Sequence, residues 1–263
     1  MSHRLVIGSA ALFAVFLALP VGTLLGRALG VGDLIAVAQS PAVLNALRLS
    51  LATTLTSLVI TIGFGTPLAY LLARHRFPGA TLVEIVIDLP LVLPPSVAGL
   101  ALLLVFGRRG LLGDSLEGLG VAIPFTTVAV ILAQTFVSAP FFIRAARAGI
   151  ASVPRDLEDA ARVDGATALG VFRHVTAALA GPALVAGVVM SWARSLGEFG
   201  ATILFAGNVT GRTQTLPLVV YSEFGAGDLD AAIAAAAVLV LAAIGILLAV
   251  RLSRVSRDVG ALV

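Results

Sequence analysis

The chain has 263 residues, 59% of them apolar and only 12% charged, with a formal net charge of +3, whereas about 25% of an ordinary soluble domain is charged. That balance excludes a water-solvated globule and points to a chain solvated largely by lipid. There is no cysteine, which excludes disulfides, thiolate metal sites and cysteine nucleophiles, and His3, His75 and His174 lie too far apart in sequence to suggest a histidine metal cluster.

All seventeen basic residues are arginine. A phosphate-binding P-loop needs its lysine to reach the nucleotide phosphates, so this polypeptide is not expected to hydrolyse ATP by itself. The arginines sit at the ends of apolar blocks instead of massing on one face, which fits membrane orientation better than nucleic-acid binding.

Six apolar blocks follow one another: Leu5 to Leu25, Leu44 to Leu72, Leu82 to Phe106, Phe125 to Ala148, Ala177 to Phe205 and Ala231 to Val250. A span needs roughly 20 mainly apolar helical residues, so the chain reads as about six transmembrane helices in one all-α membrane domain covering residues 1–263. The first block, preceded by Arg4, also reads as a cleaved signal peptide. It runs past signal-peptide length and no small-x-small cleavage site follows, so it is taken as a helix. The even count puts both termini on one side. With that side cytoplasmic, the inner segments hold Arg4, Arg74, Arg76, Arg144, Arg147, Arg155, Arg162, Arg173, Arg251, Arg254 and Arg257, against Arg27, Arg48, Arg108, Arg109 and Arg212 outside. The excess of inner arginine favours cytoplasmic termini. A tail of about a dozen residues after Val250 suggests no appended regulatory domain.

In the third block, Leu89 to Ser96 puts Pro90, Pro94 and Pro95 into a would-be helix, removing backbone donors and bending it. Carbonyls freed at membrane depth need protein or water around them, so Pro94, Pro95 and Ser96 are candidates for a pathway, although physics alone favours a packing kink slightly.

The stretch Gly149 to Thr176 is the one sizeable polar segment predicted inside. Pro154 suits a first helical turn, and Asp156, Glu158 and Asp159 oppose the positive end of the helix dipole. Gly165 offers a stop, giving a helix of about three turns with Leu157, Ala160 and Ala161 on one face and charge on the other. So short an amphipathic helix is marginal alone, which implies docking in a groove of a soluble partner or, alternatively, packing on the membrane surface or its own domain.

The fifth block carries Ser191, Trp192, Ala193, Arg194, Ser195, Leu196, Gly197, Glu198, Phe199, Gly200, Ala201 and Thr202. Charges inside a spanning helix are expensive and by default functional. Arg194 and Glu198, four apart, share a face and can neutralise each other, as a structural pair, a gate element or, through the arginine, an anion contact. Gly197 and Gly200 leave notches for close helix approach or a passage. An intramembrane enzyme would need a convergent catalytic set, which the scattered Glu84, Asp88 and Gln134 do not supply.

The run Glu158, Asp159, Ala160, Ala161 and then Gly165 resembles the loop of ATP-binding-cassette import permeases, whose pattern is acid, Ala, Ala, three residues, Gly, nine residues, Ile, one residue, Leu, Pro. Asp159, Ala160, Ala161, Gly165 and Val175 match; Ala177 and Ala178 stand where the pattern has Leu and Pro. The Leu89-to-Ser96 and Ser191-to-Thr202 strings, with Gly211 to Pro217, closely resemble the molybdate permease group of the oxyanion importers, the segment from Ala193 to Thr202 being the most specific part. The resemblance implies a type I importer permease, with residues 150–176 forming a cytoplasmic coupling loop. Also implied are a homodimer with the pathway on its two-fold axis, two ATPase subunits that use ATP and Mg, and an extracytoplasmic binding protein that holds most of the selectivity. No cofactor is implied for this chain. Tungstate and sulfate are the alternative cargoes, and an ion-gradient-driven secondary transporter is the alternative class, although it would not need an Ala-Ala docking loop.

Overall fold

The computed structural model describes residues 3–32 and 34–260, with side chains for all of these except Arg4 and residues 249–260. Arg251, Arg254 and Arg257, counted with Arg4 toward the inner side, therefore have side chains outside the described residues. The elements in chain order are α1 (His3–Leu29), α2 (Leu34–Ala38), α3 (Pro41–Arg74), α4 (Ala80–Val92), α5 (Pro95–Phe106), α6 (Gly113–Gly118) and α7 (Thr127–Ser152). They continue with α8 (Arg155–Val163), α9 (Ala168–Val171), a π-helical turn (Phe172–Thr176), α10 (Ala177–Leu179), α11 (Gly181–Leu196), α12 (Gly200–Phe205), α13 (Leu216–Ala226) and α14 (Leu229–Gly260). No strand occurs among the described residues.

Among the described residues four helices are long and apolar enough to cross a bilayer, Leu5–Leu29, Pro41–Arg74, Thr127–Ser152 and Leu229–Leu248, and the count reaches six if each of two bent helix pairs is one span. The third predicted block is one of these pairs: α4 and α5 meet at 120°. Its prolines dictate the break. Leu93 and Pro94 each precede a proline and take extended backbone, with ψ of 131° and 135°, and Pro95 then opens α5 at the first helical turn. Pro90 stays inside α4. The fifth predicted block is also interrupted, with a 76° turn between Ala168–Leu179 and Gly181–Leu196, and again at Gly197–Phe199 before α12.

The chain divides into two compact units, residues 49–214 and residues 1–48 with 215–263. In the first, α7 packs on α11 through small residues: a Cβ on Gly187 would lie 2.9 Å from Ala145 Cβ, and one on Gly149 would collide with Ala183. Such residues let helix backbones approach closely where lipid supplies no hydrophobic drive to associate. Ala98, Leu102, Val130, Ala133, Val137, Ala201 and Phe205 form one core cluster from α5, α7 and α12. A second joins Ala69 of α3 to Phe142, Ile143, Ala146 and Ile150 of α7 and to Ala180. Glu84 and Asp88 on α4 pair with Arg147 (2.8 Å) and Arg144 (3.7 Å) on α7. In the other unit, Val43, Ala46, Leu216, Val219 and Ala235 pack together.

Candidate functional site

The segment after α7 forms the short helix read from the sequence. Pro154 precedes α8, and Asp156 and Glu158 lie in its first turn. At its end Gly165 takes φ +87°; its N–H donates to Arg162 O (3.0 Å) and the Ala166 N–H donates to Ala161 O (2.9 Å). These two bonds make a Schellman stop, which needs a left-handed residue at the position glycine fills.

The faces of α8 differ from the expectation of one charged and one apolar side. Leu157 and Val163 are 47% and 87% exposed, as is Leu169 (74%) beyond the helix. Asp159 and Ala160 are exposed and Ala161 is half-buried. Asp159 is paired with Arg162 at 2.5 Å. Glu158 instead turns inward and is 2% exposed. Its Oε1 lies 2.7 Å from Arg74 Nη2 and accepts from Thr176 Oγ1 at 2.6 Å, while Arg162 Nη2 stands 3.9 Å from Oε2. A buried carboxylate is tolerable only when paired and hydrogen-bonded, and those two partners provide that. Arg74, the last residue of α3, also donates to the Val153 carbonyl (3.0 Å), and Arg155 donates to the Arg74 carbonyl (3.1 Å).

At the other candidate site, strings about a hundred residues apart in sequence meet. A Cβ on Gly200 would lie 2.7 Å from Pro95 Cβ and 3.3 Å from Ser96 N; one on Gly99 would lie 2.6 Å from the Ala201 carbonyl. The N-terminal turns of α5 and α12 therefore touch backbone to backbone. Glu198 organises this junction: its Oε1 accepts from the Ala201 N–H at 2.8 Å, placing a carboxylate at the positive end of α12, and its Oε2 pairs with Arg194 Nη2 at 2.5 Å. Glu198 is 1% and Arg194 27% exposed. Pro94, Pro95 and Ser96 are exposed. Gly197 makes no close approach, since the nearest atom to a Cβ there would be Ala193 O at 3.8 Å. Ser191 is buried on α11, and its hydroxyl has no protein partner, as is also true of Ser195 on the same helix and of Gln134 Oε1 and Ser138 Oγ on α7.

Sequence reasoning missed Arg74, Thr176 and Gly99. Nothing in the sequence linked Arg74 to a residue 84 positions away, whereas the Gly99 contact had a faint signal, a glycine four residues after Pro95 in an otherwise bulky run. Among the described residues no group of three or more His, Cys, Asp or Glu side chains could hold a metal.

Residues 65–259 match the family described as the binding-protein-dependent transport system inner membrane component. The molybdenum transport system permease protein ModB of Mycobacterium bovis is 44% identical over 215 residues, 82% of this chain and 81% of that protein. The sulfate transport system permease protein CysT of Salmonella typhimurium is 36% identical, over 81% of this chain and 77% of its own length. A chain in the crystal structure of a bacterial alginate ABC transporter, in complex with alginate pentasaccharide-bound periplasmic protein, superposes with a TM-score of 0.73 at 18% identity, covering 94% of this chain and 91% of that one. With a match across more than half its length and relatives this similar, the chain belongs to the family of binding-protein-dependent transport system inner membrane components and is a transport subunit, not an enzyme.

Proposed function

We propose that the chain is the membrane-spanning half of an ATP-driven oxyanion importer, with molybdate as cargo. Two copies form the pathway on a two-fold axis, each docks one cytoplasmic ATPase through α8, and an extracytoplasmic binding protein delivers the anion. Both termini lie in the cytoplasm, and ATP and Mg are used by the partner. Binding and hydrolysis of ATP switch the pathway between inward-open and outward-open states.

The observation that carries this reading is α8 itself: a short helix held by its own buried carboxylate, with Leu157, Asp159, Ala160 and Val163 left facing outward. Apolar and small residues on an exposed helix offer a groove-docking surface. The names of the relatives support molybdenum as cargo, and the sulfate permease among them makes sulfate the second reading. Residues Pro94, Pro95, Ser96, Ser191, Arg194, Gly197, Glu198 and Gly200 belong to the gate region. Arg194 is committed to Glu198, so it stabilises the gate and does not hold the anion tightly; a tight site in a low-dielectric passage would trap a doubly charged cargo.

The test is co-purification with the candidate ATPase, comparing wild type with Ala160→Glu. Loss of the complex in the variant alone supports the docking face; an unchanged complex refutes it.

A further inference from the structure

We propose that Glu158 is the positioning residue that makes α8 move as one body with the membrane helices, and that it takes no part in the ATPase-facing surface. This rests on the reading of α8 as the coupling helix. One buried carboxylate gathers three parts of the chain. Arg74 reaches it from the end of α3, Thr176 from the π-helical turn that leads through α10 into α11, and α8 supplies the carboxylate. The same Arg74 guanidinium ties in Val153, the residue that follows α7. A push on the exposed face of α8 is thus delivered to α3, α7 and the α11 run together.

Burial makes this junction stiff. The side chains of Glu158 and Arg74 are 3% and 7% exposed, so water cannot substitute for a lost partner, and charge-assisted bonds in such surroundings hold their geometry better than neutral ones. The π-helical turn also matters: its extra residue per turn alters the register of the run, and it ends on the fully buried Thr176 whose hydroxyl meets the carboxylate. Asp159, next in sequence, is exposed and paired with Arg162, so the acid on the outward side of α8 is a different one from the buried Glu158.

The experiment uses the full transporter, with permease, ATPase and binding protein in proteoliposomes, and measures molybdate imported per ATP hydrolysed. Glu158→Gln keeps a carbonyl oxygen for Thr176 but loses the charge pairing with Arg74; Thr176→Val removes one bond and nearly no volume. Both variants should form the ATPase complex at wild-type yield, with transport per ATP falling at least about fivefold in Glu158→Gln and less in Thr176→Val. A merely structural role would lower the yield of folded complex and leave the ratio unchanged in what survives. That outcome, or wild-type coupling in both variants, overturns the proposal. If wild type itself forms no ATPase complex, the coupling-helix reading fails instead.

Discussion

Replacing Gly99 by alanine tests whether α5 and α12 really meet backbone to backbone. The added Cβ would stand 2.6 Å from the Ala201 carbonyl oxygen, 2.9 Å from Ala201 Cα and 3.0 Å from Leu204 Cβ. Ordinary contact begins at 3.4 Å, so the two helices must separate by about 0.8 Å, and no side-chain rotation can relieve a clash with backbone. Overpacking of this kind costs about 1–3 kcal/mol, offset by about 0.5–1 kcal/mol from removing a glycine inside a helix. Gly63→Ala in α3 is the control, because a Cβ there meets nothing within 4 Å, leaving only the gain. Equilibrium unfolding of the purified protein in mixed detergent micelles should therefore place Gly63→Ala at or slightly above wild type and Gly99→Ala about 1–3 kcal/mol below Gly63→Ala, because the gain from removing a glycine is common to both. Because the junction carries Pro95 and the Glu198 cap, uptake should fall in the first variant only. Equal stability of the two variants would refute the packing argument.

Glu198→Gln keeps an oxygen for the Ala201 N–H but removes the charge facing Arg194; uptake should drop at least about tenfold while dimer assembly, read by size-exclusion chromatography, persists. Wild-type uptake would remove the pair from the gate. Gly165→Ala forces a Cβ into a left-handed backbone at φ +87°, a strain of about 1–2 kcal/mol, and should weaken ATPase binding in a titration; unchanged affinity would mean that the stop of α8 is not needed for docking. Since the chain has no cysteine, single thiols report topology cleanly. With cytoplasmic termini, a membrane-impermeant maleimide should label Ser115→Cys in intact cells and Ala166→Cys only after permeabilisation, and the reverse pattern would invert the assignment.

The elements most legible in the sequence were those that composition and punctuation force. Six apolar blocks mark the spans because lipid demands long apolar helices, and α8 is marked at its end by Gly165, whose φ of +87° few other residues accept, and at its start by Pro154, which stands just before the helix in extended backbone and not in its first turn. The size of the break at Pro94 was less legible: three prolines predict a bend, but the 120° turn comes from two successive residues each forced to extended backbone by the proline after it. Arg194 and Glu198 were readable as a pair because one helical turn separates them. Glu158 was not readable as buried, since its Arg74 partner lies 84 residues away and the local charge pattern of α8 puts every acid in solvent. Gly200 against Pro95 joined two strings noticed separately, a contact that only tertiary packing supplies.

The most direct test is ATP-dependent uptake into proteoliposomes holding this chain and its candidate ATPase, with the binding protein presented loaded with molybdate or with sulfate. The account predicts molybdate accumulation that requires both ATP and the binding protein, with sulfate moved poorly. Uptake that proceeds without ATP, driven by an imposed ion gradient, would contradict it.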